Sequence, residues 1–246
     1  MPRFFVRAAD VVEGQARLQG AEFRHLHRAL RLGAGDAVTL FDDAGREHRG
    51  VIVSVSPRIA VVDVTETSVP ARESALAITL YQGVPKGRKM ELVVEKATEL
   101  GVRAIVPFVA SFGTVRQPAA AGKRDRWERI ALAAAKQSGR TAVPEVMAVE
   151  DFAGALRRGA TADLRLLFWE GTAGGAPSPP PTRATPPRTA AVVVGPEGGF
   201  SRAEVEAASD AGFDIAGLGP RVLRTETAAL VAIALVQARW GDLGSV

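Results

Sequence analysis

Two glycine-rich stretches carry the residues best suited to chemistry in this chain. The first, "VVVGPEGGFSRAEVEAA" at 192–208, runs from three valines into Gly195, Pro196, Glu197, Gly198 and Gly199. The second, "DIAGLGPRVLRTETAA" at 214–229, joins Gly217 and Gly219 to Arg221, Arg224 and Glu226. A glycine turn between a parallel strand and a helix bares backbone N–H groups at the carboxyl edge of the sheet, where open α/β folds bind ligands. Taken singly, such a turn serves equally well just to reverse the chain. Taken as a pair, the two loops form a narrow slot in which a flat ring can lie against backbone. No Lys-Ser or Lys-Thr follows the first loop, so it is not a Walker loop. In the second, Val222 stands where a dinucleotide fingerprint needs its third glycine. Its charged residues lead into a helix as apolar as "AALVAIALV", where burying them without purpose would be costly.

The elements that must hold these loops are legible around them. The valines read as a buried strand, and Ser201 with Glu204 has the spacing of a capping box that opens a helix. Before them, strands and helices alternate. "LAITLYQGV", "RAIVPFVA" and "LRLLFWE" read as strands, "KMELVVEKATELG", "DRWERIALAAAKQSG" and "DFAGALRRG" as helices. "FDIAGLG" is the last strand and "ETAALVAIALVQARW" the last helix. This alternation predicts an α/β domain with a mostly parallel sheet covered on both faces, over residues 74–246. Within it, "GTAGGAPSPPPTRATPPR" at 171–188 reads as a Gly/Pro-rich surface loop without assigned chemistry. Residues 1–70 are β-rich instead, with period-two patterns in "RGVIVSVS" and "IAVVDVTET" and one helix, "AEFRHLHRALRL". "SVPARES" at 68–74 marks the boundary.

Composition narrows the function classes. The 246 residues are 47% hydrophobic, ample for packed cores, and 31 Lys+Arg against 27 Asp+Glu leave a net charge of +4. That balance permits a nucleic-acid partner without demanding one. There is no cysteine, which excludes disulfides and thiolate metal sites. His25, His27 and His48 show no ligand spacing, so no metal is expected. The N-terminus lacks the apolar segment of a signal peptide, and the longest apolar run, Ala228 to Val236, is about half a membrane span. The expectation is a cytoplasmic protein with no membrane partner.

Basic residues cluster in both halves. At about 100° per residue, Arg24, Arg28 and Arg31 share the helix face opposite Phe23, Leu26 and Leu30. Lys86, Arg88 and Lys89 form "KGRK", and Arg129, Lys136 and Arg140 fall on one face of a later helix. Each cluster alone reads as a solvated face, whereas together they suit a protein that grips folded RNA through phosphates. Arg3 and Arg221 join them as candidate RNA contacts.

"GPEGGFS", "LGPRVLRTETA", "KGRKMELVVEKATELGV" and "RWERIALAAAKQSGR", together with "MPRFFV" and "FRHLHRALRLGAGD", resemble the bacterial small-subunit rRNA uridine-N3-methyltransferases (the RsmE type) of the SPOUT class. The resemblance runs through both proposed domains. It implies a deep trefoil knot in the C-terminal α/β domain, an N-terminal PUA-like β-barrel that holds 16S rRNA, a homodimer, and S-adenosyl-L-methionine bound in the knot. Carried over, the cofactor slot comprises Gly195, Glu197, Gly198, Gly199, Leu218, Gly219, Leu223 and Arg224, with Phe168 as a further wall. After "IVPFVA" the family commonly has a Ser-Glu-Arg-Ser-like run, whereas this chain has Ser111, Phe112, Gly113 and Thr114. That departure is expected to alter an RNA or subunit contact and to leave the cofactor loops untouched.

Methylation at uridine N3 requires loss of the imide proton, with negative charge spreading to O2 and O4. A site for it needs a proton acceptor, donors or a cation at the carbonyl oxygens, and tight positioning. Arg224 is the candidate for the carbonyl charge, and Glu197 or Glu226 for the proton; either glutamate serves equally as a structural anchor. Two alternatives stay open: a non-catalytic RNA-binding ribosome assembly factor, and a SPOUT enzyme acting on a ribose 2′-hydroxyl or on tRNA. An assembled small subunit is the expected partner, since recognition by shape needs folded RNA.

Overall fold

The computed structural model describes residues 1–113, 122–172 and 185–244. Thr114 and most of the Gly/Pro-rich stretch 171–188 lie outside them. The chain divides into two compact units, one of Met1–Glu73 with Ala135–Val143 and one of Ser74–Ala134 with Pro144–Val246.

The first unit is a six-stranded sheet in the order β1-β4-β5-β6-β3-β2. Its strands are β1 (Arg3–Val6), β2 (Val11–Val12), β3 (Gln15–Gln19), β4 (Ala37–Asp42), β5 (Glu47–Val55) and β6 (Ile59–Ser68). β1 pairs in parallel with β4 and the remaining pairs are antiparallel. Phe4, Leu18, Leu40, Ile52 and Val62 fill its core, drawn from alternate positions along the strands. The helix between β3 and β4 departs from the sequence reading. It is a short α1 (Gly20–Arg24) that passes into a π turn at His25–Ala29. The Leu30 N–H reaches the His25 carbonyl five residues back, so the 3.6-residue period no longer holds. Phe23 and Leu26 are buried as expected, but Leu30 swings out to 41% exposure.

Residues 135–143 belong to this unit rather than to the domain that the sequence boundary assigned them. Lys136 is held by both carboxylate oxygens of Glu22, one of which also accepts the Phe5 N–H. Arg140, only 5% exposed, pairs with Glu73, whose Oε1 also accepts the Thr141 and Ala142 N–H groups. Arg3 pairs with the buried Glu47 at 2.6 Å and donates to the Arg140 carbonyl. Arg3, Lys136 and Arg140, which the sequence suggested as RNA contacts, are therefore cross-links within this unit. Their charges are already met by carboxylates.

The second unit is an all-parallel sheet in the order β10-β8-β7-β12-β11-β13, with β9 (Glu145–Val146) pairing β8. The strands are β7 (Ala77–Gly83), β8 (Ala104–Val109), β10 (Glu150–Asp151), β11 (Leu164–Phe168), β12 (Thr189–Val194) and β13 (Asp214–Ala216). Helices α2 (Lys89–Glu99), α3 (Arg124–Ser138), α4 (Phe152–Gly159), α5 (Arg202–Asp210) and α6 (Thr225–Trp240) connect them. β7, β11 and β12 are buried nearly throughout, as parallel strands covered on two faces must be. β12 enters late, between β7 and β11. A C-terminal knot requires such a late return to mid-sheet.

Candidate active site

Both glycine loops leave the carboxyl ends of the two strands, β12 and β13, that flank β11 in the sheet. The loop after β12 ends at Ser201, whose side chain forms the expected capping box with Glu204 at the start of α5. The loop after β13 ends at Arg224, the residue preceding α6. Between them lies a cleft of about 290 Å³. Phe168, Gly195, Glu197, Gly199, Leu218, Gly219, Leu223 and Arg224 all line it, as do Arg221 and Lys89. Gly199 at φ +67° and Gly219 at φ +93° hold conformations that bring bare backbone to the wall without a Cβ penalty.

Gly198 is the exception. A Cβ there would lie 2.7 Å from the Phe112 carbonyl oxygen and 2.8 Å from the Phe112 Cβ, so its missing side chain makes room for the Ser111–Gly113 turn. Ser111 also donates its N–H to the capping glutamate, Glu204, at 2.8 Å. The departure after β8 therefore packs directly against the first glycine loop, which the sequence reading expected it to leave untouched. Phe112 itself is 55% exposed.

Residues that the sequence did not single out also belong to the cleft and its support. Trp169 and Glu170, following β11, line the cleft, with Glu170 lying against Gly199. Gln82 lies beneath it, wholly buried at the end of β7. Its Nε2 donates to the Gly83 carbonyl and to the Thr225 hydroxyl, both at 2.9 Å, and the Thr225 hydroxyl donates to the Gly195 carbonyl at 2.5 Å. This polar relay ties the first loop to the first turn of α6. The "LYQGV" run reads only as a strand, so nothing local distinguishes Gln82 from any polar residue at a strand end.

The charges are arranged around Lys89. Its ammonium donates to Glu197 Oε1 at 2.9 Å and lies 3.7 Å from Glu226 Oε2. Partial burial pushes the Glu197 carboxyl up, but hydrogen bonds from Lys89, from its own N–H and from the Lys86 N–H outweigh this. They hold the carboxyl below the usual glutamate range. A carboxylate held ionised in this way is a weak proton acceptor and a good anchor. Glu226 Oε2 is buried without a hydrogen bond, and Glu226 is not among the residues that line the cleft. Among the described residues, no group of three or more His, Asp or Glu could hold a metal.

The Glu197–Lys89 pair predicts a pH signature. Because its folded pKa is depressed, Glu197 contributes stability above the ordinary glutamate range, and that contribution is lost as pH falls through the lowered value. Glu197→Gln should melt below the wild type at neutral pH by a small margin, since the pair is partly exposed. The margin should close as the solution is acidified. Thermal melts of both proteins across that range test this, and a margin independent of pH would refute it.

The chain matches the RNA methyltransferase domain family over residues 72–237 and the RNA methyltransferase PUA domain family over residues 18–65. It is 34% identical to the ribosomal RNA small subunit methyltransferase E of Bacillus subtilis, over 96% of each chain. The chain belongs to the ribosomal RNA small subunit methyltransferase E family. The crystal structure of the family's Neisseria gonorrhoeae member bound to S-adenosylmethionine is 33% identical, with a TM-score of 0.86 over 99% of each chain. A methyltransferase from Legionella pneumophila in complex with the same cofactor is 32% identical, with a TM-score of 0.85 over 98% of each chain.

Of the remaining candidate RNA contacts in the second unit, Lys86 is exposed beside Glu197, and Arg88 is exposed and paired with Glu91. Arg129 is exposed on α3, where its Nε donates to the Asp125 carbonyl. In the first unit Arg24, Arg28 and Arg31 are all exposed, but only Arg24 and Arg28 face a common cavity; Arg31 lies beyond the π turn at φ +55°.

Proposed function

We propose that this protein transfers a methyl group from S-adenosyl-L-methionine to N3 of one uridine in 16S rRNA, acting as a cytoplasmic homodimer on the assembled small ribosomal subunit. One observation carries the reading: a cleft walled by glycine backbone and apolar side chains, with the cations Arg221, Arg224 and Lys89 on its lining. Phe168, Val194, Leu218 and Leu223 offer apolar walls for a nucleoside, and the bare loops at Gly195, Gly199 and Gly219 admit it close to backbone. The cofactor, when bound, supplies an electrophilic methyl on its sulfonium.

The chain's own groups do the rest. Arg224 presents a planar set of N–H donors to the O4 or O2 on which charge gathers as the weakly acidic N3 gives its proton to solvent water at the mouth of the cleft. Lys89 adds a second cation, held in place by Glu197. The Gln82–Thr225–Gly195 relay fixes the wall against which the reacting groups are aligned. In this reading Glu197 anchors Lys89, and Glu226 lies 3.7 Å from the same ammonium.

The test is methyl transfer from labelled S-adenosylmethionine to small subunits lacking the modification, followed by primer extension. A methyl at N3 blocks the Watson–Crick edge and halts reverse transcriptase. Label with one new stop at a uridine is the expected result. Label without a stop would move the reaction to ribose or another silent position. No label and no cofactor binding would leave a non-catalytic assembly factor.

A further inference from the structure

We propose that the first unit carries a pocket for a single unstacked nucleotide, formed where α1 and the π turn meet the β5–β6 turn. The proposal rests on the reading of this protein as an rRNA-modifying enzyme and deepens it by naming the RNA feature gripped outside the catalytic cleft. The cavity measures about 670 Å³ and is lined by Gly20, Phe23, Arg24, His27, Arg28, Pro57 and Arg58.

Three features of this cavity point to one ligand chemistry. First, its arginines are available. Elsewhere in the unit Arg3, Arg46, Arg49, Arg72, Lys136 and Arg140 are each met by a carboxylate, while Arg7, Arg17 and Arg31 are not, among the described residues, and lie outside this cavity. Arg24, Arg28 and Arg58 are exposed and have no such partner among the described residues. Three unneutralised guanidiniums converging on one concavity repel one another unless an anion enters, and the planar fork of arginine suits phosphate oxygens.

Second, the cavity has a flat aromatic surface. The His27 ring stacks on Phe23 at 5.4 Å with an interplanar angle of 14°. Phe23 is buried in the core while His27 is exposed, so the histidine is backed by a rigid ring and offers its outer face. A base splayed out of a single strand can stack there; a base inside an A-form duplex cannot.

Third, the local backbone shapes the arrangement. Phe23 and His27, four residues apart, share one side of the helix and stack. The π turn over His25–Ala29 keeps that pair together while Leu30 turns outward to the surface. Such turns inside helices recur at functional sites. Arg58 and Pro57 come from the separate β5–β6 hairpin, well beyond the helix in sequence, which is why the helical stripe alone gave neither the pocket nor its occupant.

The experiment uses the full chain and two probes, an eight-nucleotide single-stranded RNA and a twelve-base-pair RNA duplex, followed by fluorescence anisotropy over a range of salt. The wild type should prefer the single strand. Arg24→Ala, Arg28→Ala and Arg58→Ala should each weaken binding and lower the salt slope by about one. His27→Ala should weaken single-strand binding by about fivefold to a hundredfold and spare the duplex, while His27→Phe should retain it. Circular dichroism and melting temperature guard against unfolding, and retention by His27→Phe separates stacking from a general packing defect.

Unchanged binding by all three arginine variants would overturn the pocket. Equal loss for both probes with His27→Ala silent would overturn the seated base and leave a phosphate surface. Methyl transfer by the wild type, measured in parallel, keeps the two ideas separate. Active wild type with binding-neutral variants defeats the pocket alone, whereas inactive wild type defeats the catalytic reading, with the pocket then judged by the binding data.

Discussion

Arg224→Ala should lose about 10²- to 10³-fold in turnover while binding S-adenosylmethionine within a few-fold of the wild type. The asymmetry follows from where the side chain stands. Arg224 lines the cleft, yet it immediately precedes α6, and its backbone carbonyl still accepts the Ala228 N–H whatever the side chain. Cofactor binding therefore keeps its backbone walls, and what disappears is a donor set that matters once charge develops on the uracil carbonyls. Arg224→Lys should recover only part of the loss, because an ammonium keeps the charge without the planar fork. Calorimetric titration with the cofactor and single-turnover methyl transfer on small subunits measure the two quantities separately. A parallel fall in both would make Arg224 a cofactor ligand and not a group acting on the substrate. Wild-type turnover would remove it from the mechanism. Arg221→Ala provides the comparison: Arg221 lines the same cleft from the middle of its loop, and its loss should appear in RNA affinity and salt dependence before turnover.

The same distinction between local and distant partners explains what could be read in the sequence. The loops at 195–199 and 217–224 were legible because their signals are short range: a glycine turn following apolar residues, and a capping box three residues wide. The alternation of strands and helices in the second unit was legible for the same reason. The pairing of Lys136 and Arg140 was not legible because their neutralising partners, Glu22 and Glu73, lie 114 and 67 positions away, beyond any periodicity. Arg3 and Glu47, 44 positions apart, repeat the lesson. The helical stripe was half right: Arg24 and Arg28 face one cavity, but a five-residue π turn removed Arg31 and Leu30 from the pattern. Gln82 was invisible for a different reason. It ends a strand that is buried on both sides, and its importance arises from Thr225, which only the fold brings within 2.9 Å.

That strand end is where a single methyl group should do the most damage. In Gly83→Ala, the new Cβ would lie 2.5 Å from the Pro196 Cδ, 2.6 Å from the Pro196 nitrogen and 2.9 Å from the Gly195 carbonyl carbon. Two of these are backbone atoms of the first glycine loop, so no side-chain rotation relieves the clash. The loop has little freedom to retreat: the Gly195 carbonyl is held by the Thr225 hydroxyl, and behind it a Cβ on Gly195 would itself meet the Phe200 ring at 3.1 Å. Overpacking of this kind costs about 1–3 kcal/mol and displaces backbone. The displaced backbone is the wall of the cleft. We therefore expect Gly83→Ala to fold with a lowered melting temperature and to lose cofactor affinity by at least about tenfold, the scale set by a 1.4 kcal/mol shift. Gly219→Ala is the informative partner. Its Cβ would meet nothing within 4 Å, although φ is +93°, so its defect should come from backbone strain alone. Both variants should bind the cofactor less well. Only Gly83→Ala should be rescued in part by Thr225→Ser, which removes a methyl from the buried residue holding Gly195 while keeping its hydroxyl. Wild-type cofactor affinity in Gly83→Ala would mean that the loop after β12 yields freely, and the cleft would then owe its shape to the loop after β13.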